Sequence, residues 1–300
     1  MKIATFIHNN ARKVGIFDEV SATVAPFDLP ADQARQGIQT LIELQVAGSE
    51  LPATTTPVPL DQVEIEAPIP RPRRNVFCVG KNYHDHAQEF SSSGFDSSAA
   101  EDAVPKHPIV FSKVPESVTG PGALIEYDPA VSSAIDYEVE LAVIIGKPGR
   151  GISVENALDH IWGYTIVNDV TARDLQARYS QWFIGKSQDS FCPMGPVAVT
   201  RDDIDLGNTG LRTWVNGELR QDSNTSLLIF DIPVIIQTIS GGVTLLPGDV
   251  IATGTPAGVG IGFKPPKYLV DGDRVRCEID GIGQLENAVK QRSCRAARIR

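Results

Sequence analysis

Three acids alternate in "DYEVELAVII" (136–145): Asp136, Glu138 and Glu140, followed by an apolar run. In extended geometry they share one face, while Ile135, Tyr137, Val139, Leu141 and Val143 share the other. A strand with one wet acidic face accounts for an isolated pair of this kind. Here no cation is interleaved before Lys147, and the acidic face runs on into Ala142 and Ile144, so burial of both sides is expected. Buried carboxylates persist only when paired or bound to metal, and a divalent cation would relieve their repulsion. Alternate strand residues lie about 6.5–7 Å apart, so Glu138 and Glu140 can converge on one ion while all three acids are not expected to. Asp169, at the end of the next apolar strand in "YTIVND", offers a third ligand; alone it reads equally well as a turn or helix-cap residue. Oxygen-only ligands favour Mg²⁺, Mn²⁺ or Ca²⁺ over zinc.

Cations follow directly. Arg173 and Gln176 stand three apart on an expected helix and so share a face. Lys186 is embedded among aromatic and apolar residues in "WFIGKSQDSFCPMGP". Each alone fits a surface salt bridge or a satisfied polar group. Together with a carboxylate-bound metal, they suit an anionic, chelating substrate. In "NYHDHAQEF", a helix would put His86 and Glu89 on one face and turn His84 away. A histidine oriented by a carboxylate is a ready general base, although a solvated polar helix also explains this stretch. "TGTPAGVG" (253–260) lacks the features of a phosphate loop or dinucleotide fingerprint, but its amides and Thr255 could bind a carboxylate. No nucleophile elbow is present, and no base stands beside the cysteines.

These residues need a scaffold. "KIATFIHNNARKVGIFD" reads as two strands joined at Asn9-Asn10, and "ADQARQGIQTLIELQVAG" as a helix ended by Gly48. "PIPRPRR" (68–74) marks a linker, giving a small α/β N-terminal domain over 1–70, a catalytic domain over 71–290 and a peripheral tail over 291–300. Strands are expected at 75–80, at "YEVELAVII" and at "WGYTIVND", with a helix after the last that Thr171 would cap. "LRTWVNGELR" is a hairpin through Asn216-Gly217, and "FDIPVIIQTISGG" is a helix from Asp231 to Gly241. "YLVDGDRVRCEIDGIGQLENAV" gives paired strands. "SSSGFDSSAAEDAVPK" is too polar for core and suggests that the His86 helix rides on a mobile lid.

The 300 residues carry a net charge of -10, which argues against a nucleic-acid or anionic-membrane surface. No apolar run reaches the roughly 18–20 residues of a membrane span, and no secretory signal opens the chain. Cys78, Cys192, Cys277 and Cys294 are scattered and suit reduced thiols in a cytoplasmic protein.

In order, "FCVGKNYHDHAQE", "DYEVELAVIIGK", "GYTIVNDVTARDLQ", "GKSQDSFCPMGP", "VNGELRQ" and "GDVIATGTPAGVG" resemble the fumarylacetoacetate hydrolase family over about residues 70–290. The resemblance implies an α+β, β-dominated fold: a mixed β-roll catalytic domain with a small N-terminal domain, forming homodimers. It implies Mg²⁺ (or Mn²⁺) on Glu138, Glu140 and Asp169, and His86 with Glu89 as a water-activating lid dyad. Arg173, Gln176, Lys186 and Thr255 would contact a small anionic 2-oxo acid. The expected reaction is C–C hydrolysis of an acylpyruvate or fumarylpyruvate, with metal and Lys186 holding the departing enolate's charge. The alternatives are decarboxylation of an oxaloacetate-like acid, isomerisation or hydration of a 2-oxo-dienoate, and a non-catalytic metal-binding protein. The long loop at 91–105 and the N-terminal domain depart from many members.

Overall fold

Strand Val139–Ile145 is buried at all seven positions, so it must lie inside a sheet and between two layers. It pairs antiparallel with Ile161–Asn168 on one side and with Val250–Ala252 on the other. Its odd-numbered residues Val139, Leu141, Val143 and Ile145 pack in one core with Leu211, Val275, Ile279 and Leu285. Ala142 and Ile144 pack in a second core with Ile38, Leu41, Ile42 and Val250. Each fully buried Leu, Ile or Val here contributes about 1.5–3 kcal/mol of transfer free energy. The structure, a computed structural model, describes residues 1–94 and 104–292. Most of the Ser-rich stretch and of the basic tail falls outside the described residues.

The larger sheet has 12 strands among the described residues. Its main path runs Val58–Pro59, Thr23–Pro26, Ala11–Asp18, Lys2–His8, Cys192–Thr200, Ile161–Asn168, Val139–Ile145, Val250–Ala252, Val76–Gly80, Ile109–Lys113. The Val250–Ala252 and Val76–Gly80 pair is parallel, and the other neighbours on this path are antiparallel. A second sheet of five strands packs its inner face on the first core. The expected β-dominated α+β architecture with mixed sheets is the one found. The N-terminal strands extend the large sheet, since Lys2 and Ile3 pair with Val199 and Ala198.

Local signals explain most elements. Asn9 and Asn10 take φ of 51° and 59°, and Asn216 and Gly217 take 52° and 82°, the left-handed pairs that tight hairpins need. Helix Ile232–Ser240 starts where Asp231 accepts a bond from the Val234 amide at 2.9 Å.

The helix expected over 31–48 is instead two, Ala31–Ala34 and Gln39–Val46. Gly37, at φ 64°, breaks it. A Cβ there would meet Pro70 Cδ at 2.7 Å and Thr5 Oγ1 at 2.9 Å, so the break lets the chain press against the 68–70 segment. Thr171 is not a helix cap. It pairs with Asp136 in a short ladder and donates to Asp169 O, and the next helix begins at Arg173 behind an uncapped Ala172.

Candidate active site

The acidic stretch is not one continuous strand. Ile135–Asp136 and Val139–Ile145 belong to different sheets, with Tyr137 and Glu138 between them. The Glu138 amide bonds Asn168 Oδ1 at 3.0 Å, and its carbonyl accepts from the Asp169 amide at 2.8 Å. These two bonds lock Glu138 beside the end of the neighbouring strand, which is where Asp169 sits. Asp136 turns away, so the expectation that all three acids share one face holds only for Glu138 and Glu140. Its carboxylate accepts from Arg173 Nε at 2.8 Å and from the Gly260 and Ile261 amides at 2.6 and 3.0 Å.

Glu138, Glu140 and Asp169 are buried, and one oxygen from each lies within 4.8 Å of the others. The cations missing from the local sequence arrive from elsewhere in the chain. Lys186 Nζ bridges Glu138 Oε2 at 2.8 Å and Asp169 Oδ2 at 2.6 Å. Arg173 reaches Glu138 Oε1 at 2.7 Å. Lys113 donates to Asp169 Oδ1 at 2.6 Å and to the Val170 carbonyl at 3.0 Å.

Protonation follows this wiring. Burial pushes the Glu138 carboxyl up, but Lys186 and Arg173 outweigh it and bring it down to about 2. Lys186 is raised although burial opposes it, because Asp169 and Glu138 face its ammonium. Glu140 goes the other way. Burial, then the Asp169 and Glu138 charges, hold it well above the ordinary carboxylate range. Its Oε2 accepts one amide bond, from Gly254 at 2.8 Å, and no ion pair reaches it among the described residues. A buried carboxylate without a cation, converging with two others, fits a hard divalent ion with oxygen ligands. The donor set therefore fits the expected metal.

Above the acids lies helix His84–Ser92. His86 is buried and its Nδ1 is 3.3 Å from Glu89 Oε2, while His84 is exposed. That contact leaves Nε2 of His86, a residue lining the cleft, for chemistry. The Gly258 amide points at both Glu89 oxygens, at 3.1 and 3.3 Å. The 253–261 turn thus spends the amides of Gly254, Gly258, Gly260 and Ile261 on this chain's own carboxylates rather than on a ligand's.

The cleft is tight, with a cavity volume of about 10 Å³. Arg173, Gln176, Lys186 and Thr255 all line it, with Lys81 beside them. Gln176 accepts from Arg173 Nη1 at 3.1 Å. Thr255 Oγ1 accepts from Gln221 Nε2 at 2.8 Å, which leaves its hydroxyl hydrogen to donate. Phe90, Trp182 and Phe111 stack edge to face at 6.0 and 5.3 Å and wall off one side. The Lys186 ammonium lies 5.0 Å from the Phe111 ring centre.

Residues 75–290 match the family described as "Fumarylacetoacetate (FAA) hydrolase C-terminal". The chain belongs to the fumarylacetoacetate hydrolase family. It is 53% identical over 231 residues, 77% of this chain and 74% of the relative, to "Oxaloacetate tautomerase YisK" of Bacillus subtilis (strain 168). Among solved structures, fumarylacetoacetate hydrolase from psychrophilic Exiguobacterium antarcticum superposes with TM-score 0.81 at 43% identity, covering 97% of this chain and 100% of that one. The 2-hydroxyhepta-2,4-diene-1,7-dioate isomerase from Mycobacterium marinum gives 0.76 at 34% identity, covering 97% and 99%.

Within this family fold, two features escaped the sequence. Lys113 is a lone lysine closing the strand Ile109–Lys113, and nothing around it marks a buried charge. Asp136 belongs to Arg173 and the 260–261 amides, a partnership hidden by the strand break at 137–138.

Proposed function

We propose that the protein is an enzyme that interconverts the keto and enol forms of a small 2-oxo dicarboxylic acid of the oxaloacetate type. Supporting this over the C–C hydrolysis expected first is the similarity to an oxaloacetate tautomerase at 53% identity. The observation that carries the chemistry is Glu140, a buried carboxylate in an acidic triad that makes no ion pair among the described residues, set beside Lys186 and the His86–Glu89 pair.

Mg²⁺ or Mn²⁺ held by Glu138, Glu140 and Asp169 would supply Lewis-acid polarisation of the 2-oxo group. The chain's own residues do the rest. The 2-oxo acid's carboxylate meets the Arg173, Gln176 and Thr255 donors. His86 Nε2 takes the proton from C3, its ring held by Glu89 through Nδ1. Negative charge gathers on the C2 oxygen, where the Lys186 ammonium is the nearby cation, and the proton carried by His86 Nε2 passes to that oxygen to complete the enol. The reverse path returns the proton to C3. The aromatic wall keeps bulk water off the charged intermediate. A homodimer in the cytoplasm is the assembly and setting we propose with this activity.

The second reading is hydrolysis of an acylpyruvate, favoured by the His86–Glu89 pair, which could equally activate water, and by the likeness to a fumarylacetoacetate hydrolase. Freshly dissolved enol oxaloacetate tests both. Enol absorbance decaying faster with protein and Mg²⁺ than with protein and EDTA, without pyruvate formation, supports tautomerisation. Pyruvate and carbon dioxide would indicate decarboxylation. No acceleration with oxaloacetate, together with cleavage of acylpyruvates, would replace the first reading by the second.

A further inference from the structure

The Glu89 carboxylate occupies space that a side chain at position 262 would fill. A Cβ built on Gly262 falls 2.6 Å from Glu89 Cγ and closer still to the carboxylate carbon and Oε1. Four residues earlier, Gly258 takes φ 100° and turns its amide toward both Glu89 oxygens. Between these glycines the chain makes a single short turn, Gly260–Gly262. That turn is fastened from below: the Gly260 and Ile261 amides bond Asp136, which bonds Arg173 in the cleft. The turn is therefore fixed to the substrate end of the site and presents an open seat to the helix bearing His86.

We propose that Gly262 is a positioning residue for the reaction: lacking a Cβ, it leaves the seat in which Glu89 docks, and so sets the contact between Glu89 and His86. A methyl group there displaces the far end of a flexible side chain and leaves the ligand acids and Arg173 untouched. Asp136 holds the seat at its height by binding the turn and Arg173 together. This inference rests on the proposed role of His86 in enolisation.

The test is a cycle of four proteins: parent, Gly262→Ala, Glu89→Ala and the double variant. Each is measured for kcat and KM with oxaloacetate, for Mg²⁺ affinity and for Tm. Gly262→Ala should lower kcat by about tenfold or more, with KM and Mg²⁺ affinity within about twofold of the parent. In the Glu89→Ala background, where the seat is empty, the same methyl should change neither kcat nor Tm. Parent-like kcat in Gly262→Ala, or an equal loss of kcat or Tm in both backgrounds, overturns the proposal. If Gly262→Ala alone unfolds early, the double variant decides: recovery of the Glu89→Ala midpoint supports the seat, and a persisting loss overturns it. A parent inactive on oxaloacetate would refute the proposed function, while the Tm cycle would still report on the seat.

Discussion

Lys113 Nζ donates to Asp169 Oδ1 at 2.6 Å, and both side chains have no exposure to solvent. Lys186 takes the other oxygen of the same carboxylate, also at 2.6 Å. Asp169, one of the three candidate metal ligands, is therefore held from both sides by ammonium groups, and its orientation does not wait for a metal. Removing one partner of such a buried pair leaves an uncompensated charge, at a cost of about 3–5 kcal/mol. Lys113→Met should destabilise the metal-free protein by that order, and Mg²⁺ should recover more of the stability than it adds to the parent. Denaturant unfolding with EDTA and with Mg²⁺ measures this. A Lys113→Met protein as stable as the parent in EDTA would show that the pair contributes nothing.

Glu140 gives a pH dependence of known sign. Its folded pKa lies above the ordinary carboxylate value, held there by burial and the two neighbouring acids. The native metal-free state thus binds a proton that the unfolded state releases. Stability should fall as pH rises from the unfolded carboxylate value of about 4.3 through the raised folded one. Metal replaces that proton, so Mg²⁺ binding should release protons and tighten with pH. Glu140→Gln should be more stable than the parent in EDTA at neutral pH and should lose its stabilisation by Mg²⁺. Unfolding midpoints across pH, with and without metal, decide it; a parent whose metal-free stability is flat over that range contradicts the assignment.

Much of this site was legible in the chain because its signals are local. Period-two alternation marked Glu138 and Glu140, and a strand end marked Asp169. Three-residue helical spacing paired His86 with Glu89 and Arg173 with Gln176. What stayed hidden depends on tertiary approach. Lys113 comes from the far edge of the large sheet, and the break at 137–138 sends Asp136 to a turn some 124 positions later in sequence. Gly37 lies inside the stretch expected as one helix, and its packing against Pro70 makes it a break. The choice of reaction was hidden for a chemical reason: tautomerisation, decarboxylation and C–C hydrolysis of 2-oxo acids draw on the same acids, lysine and histidine.

His86 separates these reactions. If Nε2 moves the C3 proton, His86→Ala should lower tautomerase kcat by about 10² or more while Mg²⁺ affinity is unchanged, since among the described residues no hydrogen bond joins His86 to the three candidate ligand acids. Decarboxylation of the same substrate needs no such base at C3 and should be much less affected. Following enol absorbance and pyruvate release on one protein compares the two directly. Equal loss of both would mean that His86 acts in binding.

Arg173 tests whether the cleft requires a planar fork or only a positive charge. Its guanidinium spans Asp136 through Nε at 2.8 Å, Glu138 through Nη2 at 2.7 Å and Gln176 through Nη1 at 3.1 Å. Burial would lower its pKa, but Asp136 and Glu138 raise it further, so the charge is permanent. A lysine carries the same charge at a single point and cannot reach all three partners. Arg173→Lys should therefore behave as a loss of function, with KM for oxaloacetate rising by about tenfold or more and Asp136 left underbonded at the 260–262 turn. If charge alone mattered, Arg173→Lys would keep the parent KM while Arg173→Gln would not. Steady-state kinetics of the two variants, each checked for parent-like Mg²⁺ affinity, distinguish a shaped donor array from a simple electrostatic one.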